Sequence, residues 1–451
     1  MKSLKKIALI GFGLEAKSAY EFLKNKNPDA IFDIYDQNKT TKVELPEGVN
    51  FYGGVTDFSE VWADLIVRTP AVRPDRLPHD VEVTSVTNLF FENCSAPIIG
   101  VTGTKGKGTT SSLIASILRA SGRKVHLVGN IGLAALDILA EISPEDTVVY
   151  EMSSFQLWDL KTSPQVAVIL MIEPDHLDVH ADFEEYLTAK AQIRAHQNSQ
   201  DYCIFNNKNQ FSKQIGLLDT AKNLKNSFGY GDEEGKIFVR NNEFILRNED
   251  GSEQKICSTD AVKLPGTHNL DNACAAILAA KCFDKNISGE IIEKGLADFT
   301  GLPHRLKFVR EVRGVKFYDD SISTTPGSAI AAIKAFSENK ILLLGGSDKG
   351  ADLSKLFDEI LSSDSIKKVV IYGAQSGKLA EEFRKRNYDN FQNFGEKPDF
   401  EEVVKSAFEA AESGESVILS PAHASFDMFS SYADRGEKFV KIVEKLAHEN
   451  Q

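Results

Sequence analysis

Pro97-Ile98-Ile99-Gly100-Val101-Thr102-Gly103-Thr104-Lys105-Gly106-Lys107-Gly108-Thr109-Thr110 is the stretch whose reading decides the fold. The apolar run from Ile98 to Val101 has the length and composition of a buried strand. Three glycines, Gly103, Gly106 and Gly108, then surround Lys107, and an amphipathic run follows with Leu113, Ile114, Ile117 and Leu118 on one face. Gly122 stands where that helix should stop. Strand, glycine loop and helix form the geometry in which backbone N–H groups wrap a phosphate while a lysine neutralises it. Glycine is needed because the backbone must approach phosphate oxygens with no Cβ between them. The reading is a nucleotide phosphate site, against the plainer one of a glycine-rich turn beside a surface lysine. The usual loop continues Gly-Lys with Ser or Thr, whose hydroxyl binds magnesium. Here Gly108 takes that place and Thr109 follows.

Around this stretch lie 451 residues, which at about 150 per domain suggests about three domains. A hydrophobic content of 42% with 26% charged residues is that of a soluble globular protein. No apolar run reaches the roughly 20 residues that span a bilayer, so no membrane partner is expected. Met1-Lys2-Ser3-Leu4-Lys5-Lys6 imitates the start of a signal peptide, but the short apolar run behind it flows into Gly11-Phe12-Gly13 and reads as a first core strand. The net charge of −13, from 65 acidic and 52 basic residues, argues against a nucleic-acid partner, which needs a concentrated basic face. Five cysteines (Cys94, Cys203, Cys257, Cys274 and Cys282) show no C-x-x-C pairing. A reduced, cytoplasmic protein with no metal at cysteine is the expectation.

Residues 1–95 alternate strand-like and helix-like segments: strands at Ile7 to Ile10, Ala30 to Tyr35 and Leu65 to Arg68, and a helix over 15–25. Gly11-x-Gly13-x-x-Ala16 after the first strand, with Asp36 about 20 residues on, imitates a dinucleotide fingerprint. Nothing else implies hydride chemistry, so a tight turn in a doubly wound sheet stands beside a ligand site as its reading. In residues 96–300, the strand Thr147 to Glu151 delivers a carboxylate at its C-terminal end, where open α/β sheets bind ligands. A further strand, Val166 to Ile172, leads into Glu173-Pro174-Asp175-His176-Leu177-Asp178, which reads either as a magnesium or phosphate environment or as a solvated loop. Residues 186–196, with Lys190, read as helix.

From 200 to 265 the chain turns polar and irregular, with short strands such as Lys236 to Val239 and Glu243 to Leu246. An Ala-rich helix then runs to about 282, and Asn269 and Asn272 share a face of its first turn, as caps or as base and phosphate contacts. In residues 301–451 a hairpin around Arg313-Gly314 precedes βα units at Lys340 to Leu344, Val369 to Tyr372 and Ser416 to Leu419. The fold class is α/β in three domains: an N-terminal Rossmann-like domain (1–95), a central P-loop ATPase-like domain (96–300) and a C-terminal Rossmann-like domain (301–451).

Seven stretches occur in order: Thr102-Gly-Thr-Lys-Gly-Lys107, Gly129-Asn-Ile-Gly132, Glu151-Met-Ser-Ser-Phe-Gln156, Asp175-His-Leu-Asp178, Gly266-x-His-Asn269-x-x-Asn272, Phe299-Thr-Gly-Leu-Pro-His-Arg305 and Leu419-Ser-Pro-Ala-His-Ala-Ser-Phe-Asp427. Together they resemble the ATP-dependent Mur ligases, and among these the MurD-type branch that joins glutamate to UDP-N-acetylmuramoyl-L-alanine. The resemblance covers nearly the whole chain and is strongest from about residue 96. It implies a cytoplasmic enzyme of peptidoglycan precursor synthesis, expected as a monomer, that forms an acyl phosphate with ATP and lets the amine of glutamate attack it. Two magnesium ions would let the substrate carboxylate approach the γ-phosphate despite like charge.

The resemblance also implies residue roles. Gly103, Thr104, Gly106, Lys107, Gly108 and Thr109 would hold ATP phosphates, and Asn269, Asn272, Arg305 and Asp320 match adenine-nucleotide positions. Lys107, Glu151, His176 and Lys190 match the catalytic set, with Thr109, Glu151, His176 and Lys190 around the metals and Lys190 carried as a carbamate formed with CO2. Leu14, Glu15, Asp36, Gln37, Thr69, Pro70 and Asn130 match contacts to the UDP substrate, so the fingerprint look-alike would bind UDP and not NAD. Thr324, Lys349, Ser425, Phe426 and Tyr432 match the pocket for glutamate. Three positions depart from the pattern: Gly108 replaces the magnesium-binding hydroxyl, Lys105 replaces an asparagine, and Ile322 replaces a lysine beside the amino-acid site. D-glutamate is placed first as the commoner chemistry, while Glu15 and the Ser321-to-Thr324 run keep an L-glutamate branch open. A folylpolyglutamate synthase would lack the 95 residues before the loop. A non-catalytic nucleotide-binding subunit would have no use for the carbamate lysine.

Overall fold

Short apolar runs in the first ninety residues pair in parallel, because each is followed by a crossover that returns the chain to the same end of the sheet. The computed structural model describes residues 4–40, 43–130, 134–218, 224–348 and 350–450. Its first sheet holds β1 (Lys6–Ile10), β2 (Ile31–Asp36), β3 (Asn50–Gly53), β4 (Leu65–Arg68) and β5 (Val83–Ser85) in the order β3-β2-β1-β4-β5. Ala16, Ala19, Tyr20 and Leu23 of the helix Leu14–Lys26 cover one face with Phe90, and Phe58, Val61, Val72 and Leu77 cover the other.

The central sheet contains β6 (Ile98–Thr102), β7 (Val125–Gly129), β8 (Thr147–Glu151), β9 (Val166–Ile169), β10 (Tyr202–Asn206), β11 (Ser227–Tyr230), β12 (Ile237–Arg240), β13 (Glu243–Arg247) and β14 (Glu253–Ser258). The order is β14-β13-β12-β11-β10-β9-β6-β8-β7. β6 is buried along its whole length, with β8 on one side and β9 on the other. Strand order therefore reverses at β6, and the crevice beyond its carboxyl end is where such sheets take ligands. β9 stops at Ile169, short of the expected Ile172, because Met171 and Glu173 turn to bond the glycine loop through Thr104. The polar 200–265 stretch is more regular than expected: it supplies five strands, β10–β14, and the last three pair antiparallel in one ribbon.

The third sheet holds β15 (Lys307–Val312), β16 (Val315–Asp319), β17 (Lys340–Gly345), β18 (Ile366–Tyr372), β19 (Phe391–Asn393) and β20 (Ser416–Ala422), ordered β15-β16-β20-β17-β18-β19. The expected β15–β16 hairpin turns on Arg313 (φ 51°) and Gly314 (φ 80°), the paired left-handed residues of a tight hairpin. The remaining strands of this sheet are parallel. The architecture is thus α/β with three largely parallel sheets. The chain forms two compact units, Met1–Val262 with Leu270–Asp298, and Lys263–Asn269 with Phe299–Gln451. Among the described residues no helix is long and apolar enough to cross a membrane.

One glycine sets how the loop-bearing helix is held. The helix Gly289–Asp298 crosses the helix Lys107–Ala120 so closely that a Cβ on Gly295 would lie 2.5 Å from Ile117 Cα. Ser116 Oγ donates to the Gly295 carbonyl at 2.6 Å across the same contact. Gly295→Ala is expected to force the helices apart at a cost of about 1–3 kcal/mol. Urea denaturation checks this, and an unchanged midpoint would mean that the crossing is loosely packed.

Candidate active site

The glycine loop leaves β6 and enters the helix Lys107–Ala120 through Gly106, at φ +86°, a conformation an L side chain resists. A Cβ there would also sit 2.5 Å from Asn272 Oδ1. The loop is fastened from below: Thr104 N–H donates to Met171 O at 2.8 Å, and Thr104 Oγ1 lies 2.8 Å from the Tyr186 hydroxyl. Lys105, the departure from asparagine, forms an exposed ion pair with Glu173. Lys107 Nζ donates to the carbonyls of Gly103 and Thr104 at 3.0 and 3.1 Å. Gly108 and Thr109 are buried in the first turn, and Thr110 Oγ1 donates to Asn272 Oδ1 at 3.3 Å. Asn272 thus joins the loop, while Asn269 lies in the other compact unit and donates to Pro265 O at 2.7 Å.

Lys190 reaches the same loop from the helix Phe183–Ala195. Its Nζ is buried, donates to Gly103 O at 2.9 Å and lies 4.6 Å from the centre of the Tyr186 ring. Burial, and then the charge of Lys107, hold its amine well below the ordinary lysine value. Glu151, at the end of β8, is buried and accepts from Asn130 Nδ2 at 3.0 Å. His176 is exposed with φ +55°, its ring 5.0 Å from Phe155. Among the described residues no three His, Cys, Asp or Glu side chains converge on one metal position. A lone buried carboxylate at the end of a strand beside a phosphate loop still fits magnesium, which takes one or two carboxylates, keeps waters and shares phosphate oxygens.

The seven residues matched to the UDP substrate line a single cavity of about 470 Å³: Leu14, Glu15, Asp36, Gln37, Thr69, Pro70 and Asn130. Gly11, Gly13, Ser153, Phe155 and Gln156 complete its walls. Leu14 is 75% exposed, an apolar side chain presented at the cavity's rim. Burial pushes the Glu15 carboxyl up, against the donated hydrogen bond from Gln156 Nε2 at 3.0 Å and the charge of Arg68. Asp36 accepts from the Phe12 amide at 2.7 Å and from the Asn38 amide at 2.7 Å, so its carboxylate ties the glycine turn to the next loop.

In the other unit, Thr324 lines a small cleft with Ser347, Asp348, Ala422 and His423. Ser425 is buried, Phe426 is 70% exposed and Tyr432 opens the last helix, Tyr432–Glu449. Lys349 lies outside the described residues, as do Ile131 and Gly132 of the Gly129 motif. Arg305 is exposed between two residues in the left-handed region, His304 (φ 61°) and Leu306 (φ 44°). Both are held from the end of β16. Asp319 Oδ2 lies 2.7 Å from His304 Nδ1, and Asp320 Oδ1 accepts the Leu306 amide at 3.1 Å. Asp320 also accepts from the hydroxyls of Ser323 and Ser420.

Two buried arginines were not legible in the sequence. Arg68, the last residue of β4, has its guanidinium on both carboxylate oxygens of Asp159, the Phe155 carbonyl at 3.1 Å and the carbonyls of Thr69 and Val72 at 3.3 Å. Arg435 bonds Ser321 Oγ at 2.9 Å, Ser321 O at 2.8 Å and His423 O at 3.2 Å. Their side-chain partners, Asp159 and Ser321, lie 91 and 114 residues away along the chain, beyond any local spacing rule, and an isolated arginine carries no motif.

Burial pushes Asp320 up to about 7, against the two serine hydroxyls, the Leu306 amide and the charge of Arg305. A raised carboxyl keeps its proton in the folded chain after the unfolded chain has lost it. Its contribution to stability is therefore present below about pH 4 and falls as pH rises from 3.8 to about 7. Asp320→Asn is expected to flatten that part of the stability curve, read as Tm against pH. An unaltered slope would mean that Asp320 is ionised when folded.

The sequence matches the Mur ligase middle domain over residues 101–280 and the Mur ligase glutamate ligase domain over 304–423. It is 33% identical to the UDP-N-acetylmuramoylalanine–D-glutamate ligase of Clostridium tetani, over 98% of this chain and 97% of that protein. Identity is 36% to the protein of the same name in Caldicellulosiruptor saccharolyticus, over 98% and 99%. The fold is similar to that of the UDP-N-acetylmuramate-alanine ligase MurC of Thermotoga maritima, with a TM-score of 0.60 at 18% identity over 98% of this chain and 99% of that one. Two family domains in order, and full-length identity at this level, lead to one conclusion: the chain belongs to the Mur ligase family.

Proposed function

We propose that the 470 Å³ cavity binds UDP-N-acetylmuramoyl-L-alanine and that the loop from Gly103 to Thr109 binds the phosphates of ATP. The observation that carries this is the hydrogen bond between Asn130, at the cavity wall, and Glu151, at the strand end beside the loop. On this reading it would bring the substrate carboxylate next to the γ-phosphate. The chain is an ATP-dependent amide-bond ligase of peptidoglycan precursor synthesis, and its reaction adds D-glutamate to that nucleotide. On this reading residues 1–95 carry the UDP end, 96–300 the phosphoryl chemistry, and 301–451 the incoming amino acid. Cytoplasmic action suits two soluble nucleotide substrates. A monomer suits a residue set that one chain supplies in full.

The substrate carboxylate oxygen attacks the γ-phosphorus as the bond to ADP breaks, and the resulting acyl phosphate is attacked at carbon by the glutamate amine, which loses a proton as phosphate leaves. Lys107 neutralises phosphate charge, and the amides of the first helical turn donate to the same oxygens. Glu151 and Thr109 would hold one magnesium ion, and His176 with Lys190 would stand near a second; the ions supply charge neutralisation between carboxylate and phosphate. Lys190 has the character that carbamate formation requires. A buried amine held well below its ordinary pKa gives up its proton more readily than a surface lysine, and the neutral amine is the form that adds to CO2. We assign Asn269, Asn272, Arg305 and Asp320 to the adenine nucleotide, and Thr324, Ser425, Phe426, Tyr432 and Lys349 to glutamate.

ADP release with ATP, magnesium and UDP-N-acetylmuramoyl-L-alanine is expected with D-glutamate and not with L-glutamate or with neither. Release with L-glutamate alone would assign Ile322 to the opposite stereochemistry. Lys190→Ala is expected to lower turnover by at least about a hundredfold, the scale of losing a charged transition-state contact. Short carboxylic acids should restore part of it, and activity that survives the substitution removes the carbamate.

A further inference from the structure

The nucleotide cavity takes two of its walls from distant parts of the chain, Thr69 to Val72 and the segment with Ser153, Phe155 and Gln156. Behind them runs a line of side chains with no part in the residue set above. Arg73, next after the first wall, donates to Glu185 Oε1 at 2.8 Å and Oε2 at 3.1 Å in a two-pronged contact. Its Nη1 also donates to Val179 O at 2.6 Å. Glu185 Oε2 lies 3.4 Å from His180 Nδ1, and His180 Nε2 lies 2.9 Å from Ser154 Oγ, inside the second wall. His180 and Ser154 are each 2% exposed. The imidazole is packed between Phe155, with rings stacked at 5.3 Å, and Trp158 at 4.5 Å, and the Arg73 guanidinium sits 5.4 Å from the Trp158 ring centre.

Serine, histidine and glutamate in this order have the outline of a nucleophile relay. The serine is sealed from any substrate and begins a helix, so the chemistry available to the line is mechanical. We infer that Arg73, Glu185, His180 and Ser154 are positioning residues that fasten the two cavity walls to each other and thereby set the affinity for the UDP end of the substrate. A wall segment such as Thr69 to Val72 lies in a loop, and a loop presents a ligand contact well only when it is held in the bound geometry beforehand. Arg68 holds the start of this loop, and Arg73 ties its end to Glu185 of the helix Phe183–Ala195. The inference rests on the nucleotide reading of the cavity.

The test uses full-length protein carrying Trp62→Phe. Of the chain's two tryptophans, this leaves Trp158, whose emission reports on the line, and Trp62 is 64% exposed and has no assigned role. Titration with UDP gives the dissociation constant. Arg73→Lys keeps the charge and loses the two-pronged contact, and Ser154→Ala removes the far end. Each is expected to weaken UDP roughly tenfold, and the double variant should be little weaker than either single one, because both cut the same line. Should Ser154→Ala fail to fold, Glu185→Gln takes its place with the same expectation. In turnover, KM for the UDP substrate should rise while kcat and the KM for ATP stay within about twofold. Unchanged UDP affinity in Arg73→Lys, multiplying losses in the double variant, or a fall confined to kcat would each overturn the inference. A parent protein that binds no UDP would instead remove the nucleotide reading itself, and this one with it.

Discussion

Two lysines donate to one carbonyl. Lys107 and Lys190 both reach Gly103 O, at 3.0 and 2.9 Å, from two different helices, Lys107–Ala120 and Phe183–Ala195. Two ammonium groups so placed repel, and in a buried setting that repulsion is screened little. The more buried partner yields, and the Lys190 amine is the one held low, by burial first and Lys107 second. Much of the central sheet serves this placement. β6 lies between β8 and β9, so that its loop opens where the strand order reverses, and the chain leaves β9 early to bond Thr104. The Tyr186 hydroxyl and the face of its ring then hold Thr104 and the Lys190 amine together.

The N-terminal sheet shows how a familiar local pattern takes another use. In a dinucleotide site the acidic residue after the second strand is free to accept from ribose. Here Asp36 is 6% exposed, and it accepts from Phe12 and from Asn38 on either side of the cavity. Its charge organises two loops. The glycine turn therefore keeps its shape, and its ligand is set by the walls that face it, which come from Thr69 to Val72 and from the central sheet.

What could be read along the sequence was whatever depends on neighbours. The glycine loop was legible because strand, glycines, lysine and helix are consecutive. The Arg313-Gly314 hairpin was legible because two left-handed residues in a row are a local demand. Of the five strands after residue 200, β12 and β13 were legible, and β14 was obscured, since a ribbon strand with one wet face mixes polar residues into its alternation. Arg68, Arg73, His180 and Arg435 were invisible for another reason: each acts through groups that only the fold brings near. His180 bonds Ser154, 26 residues before it, and Arg73 bonds Glu185, 112 residues after it.

Asp319 and Asp320 close the account of the third sheet. Consecutive residues at a strand end point to opposite faces, so two adjacent carboxylates avoid each other. One takes His304 and the other the Leu306 amide, and between them Arg305 projects into solvent with left-handed backbone on both sides. Such backbone costs about 1–3 kcal/mol per residue and persists only where its surroundings enforce it. The following loop is enforced in the same way, because Arg435 grips Ser321 through side chain and backbone, and Ile322 N–H donates to His304 O at 3.0 Å. The loop that carries the uncharged Ile322 therefore has its backbone fixed from within.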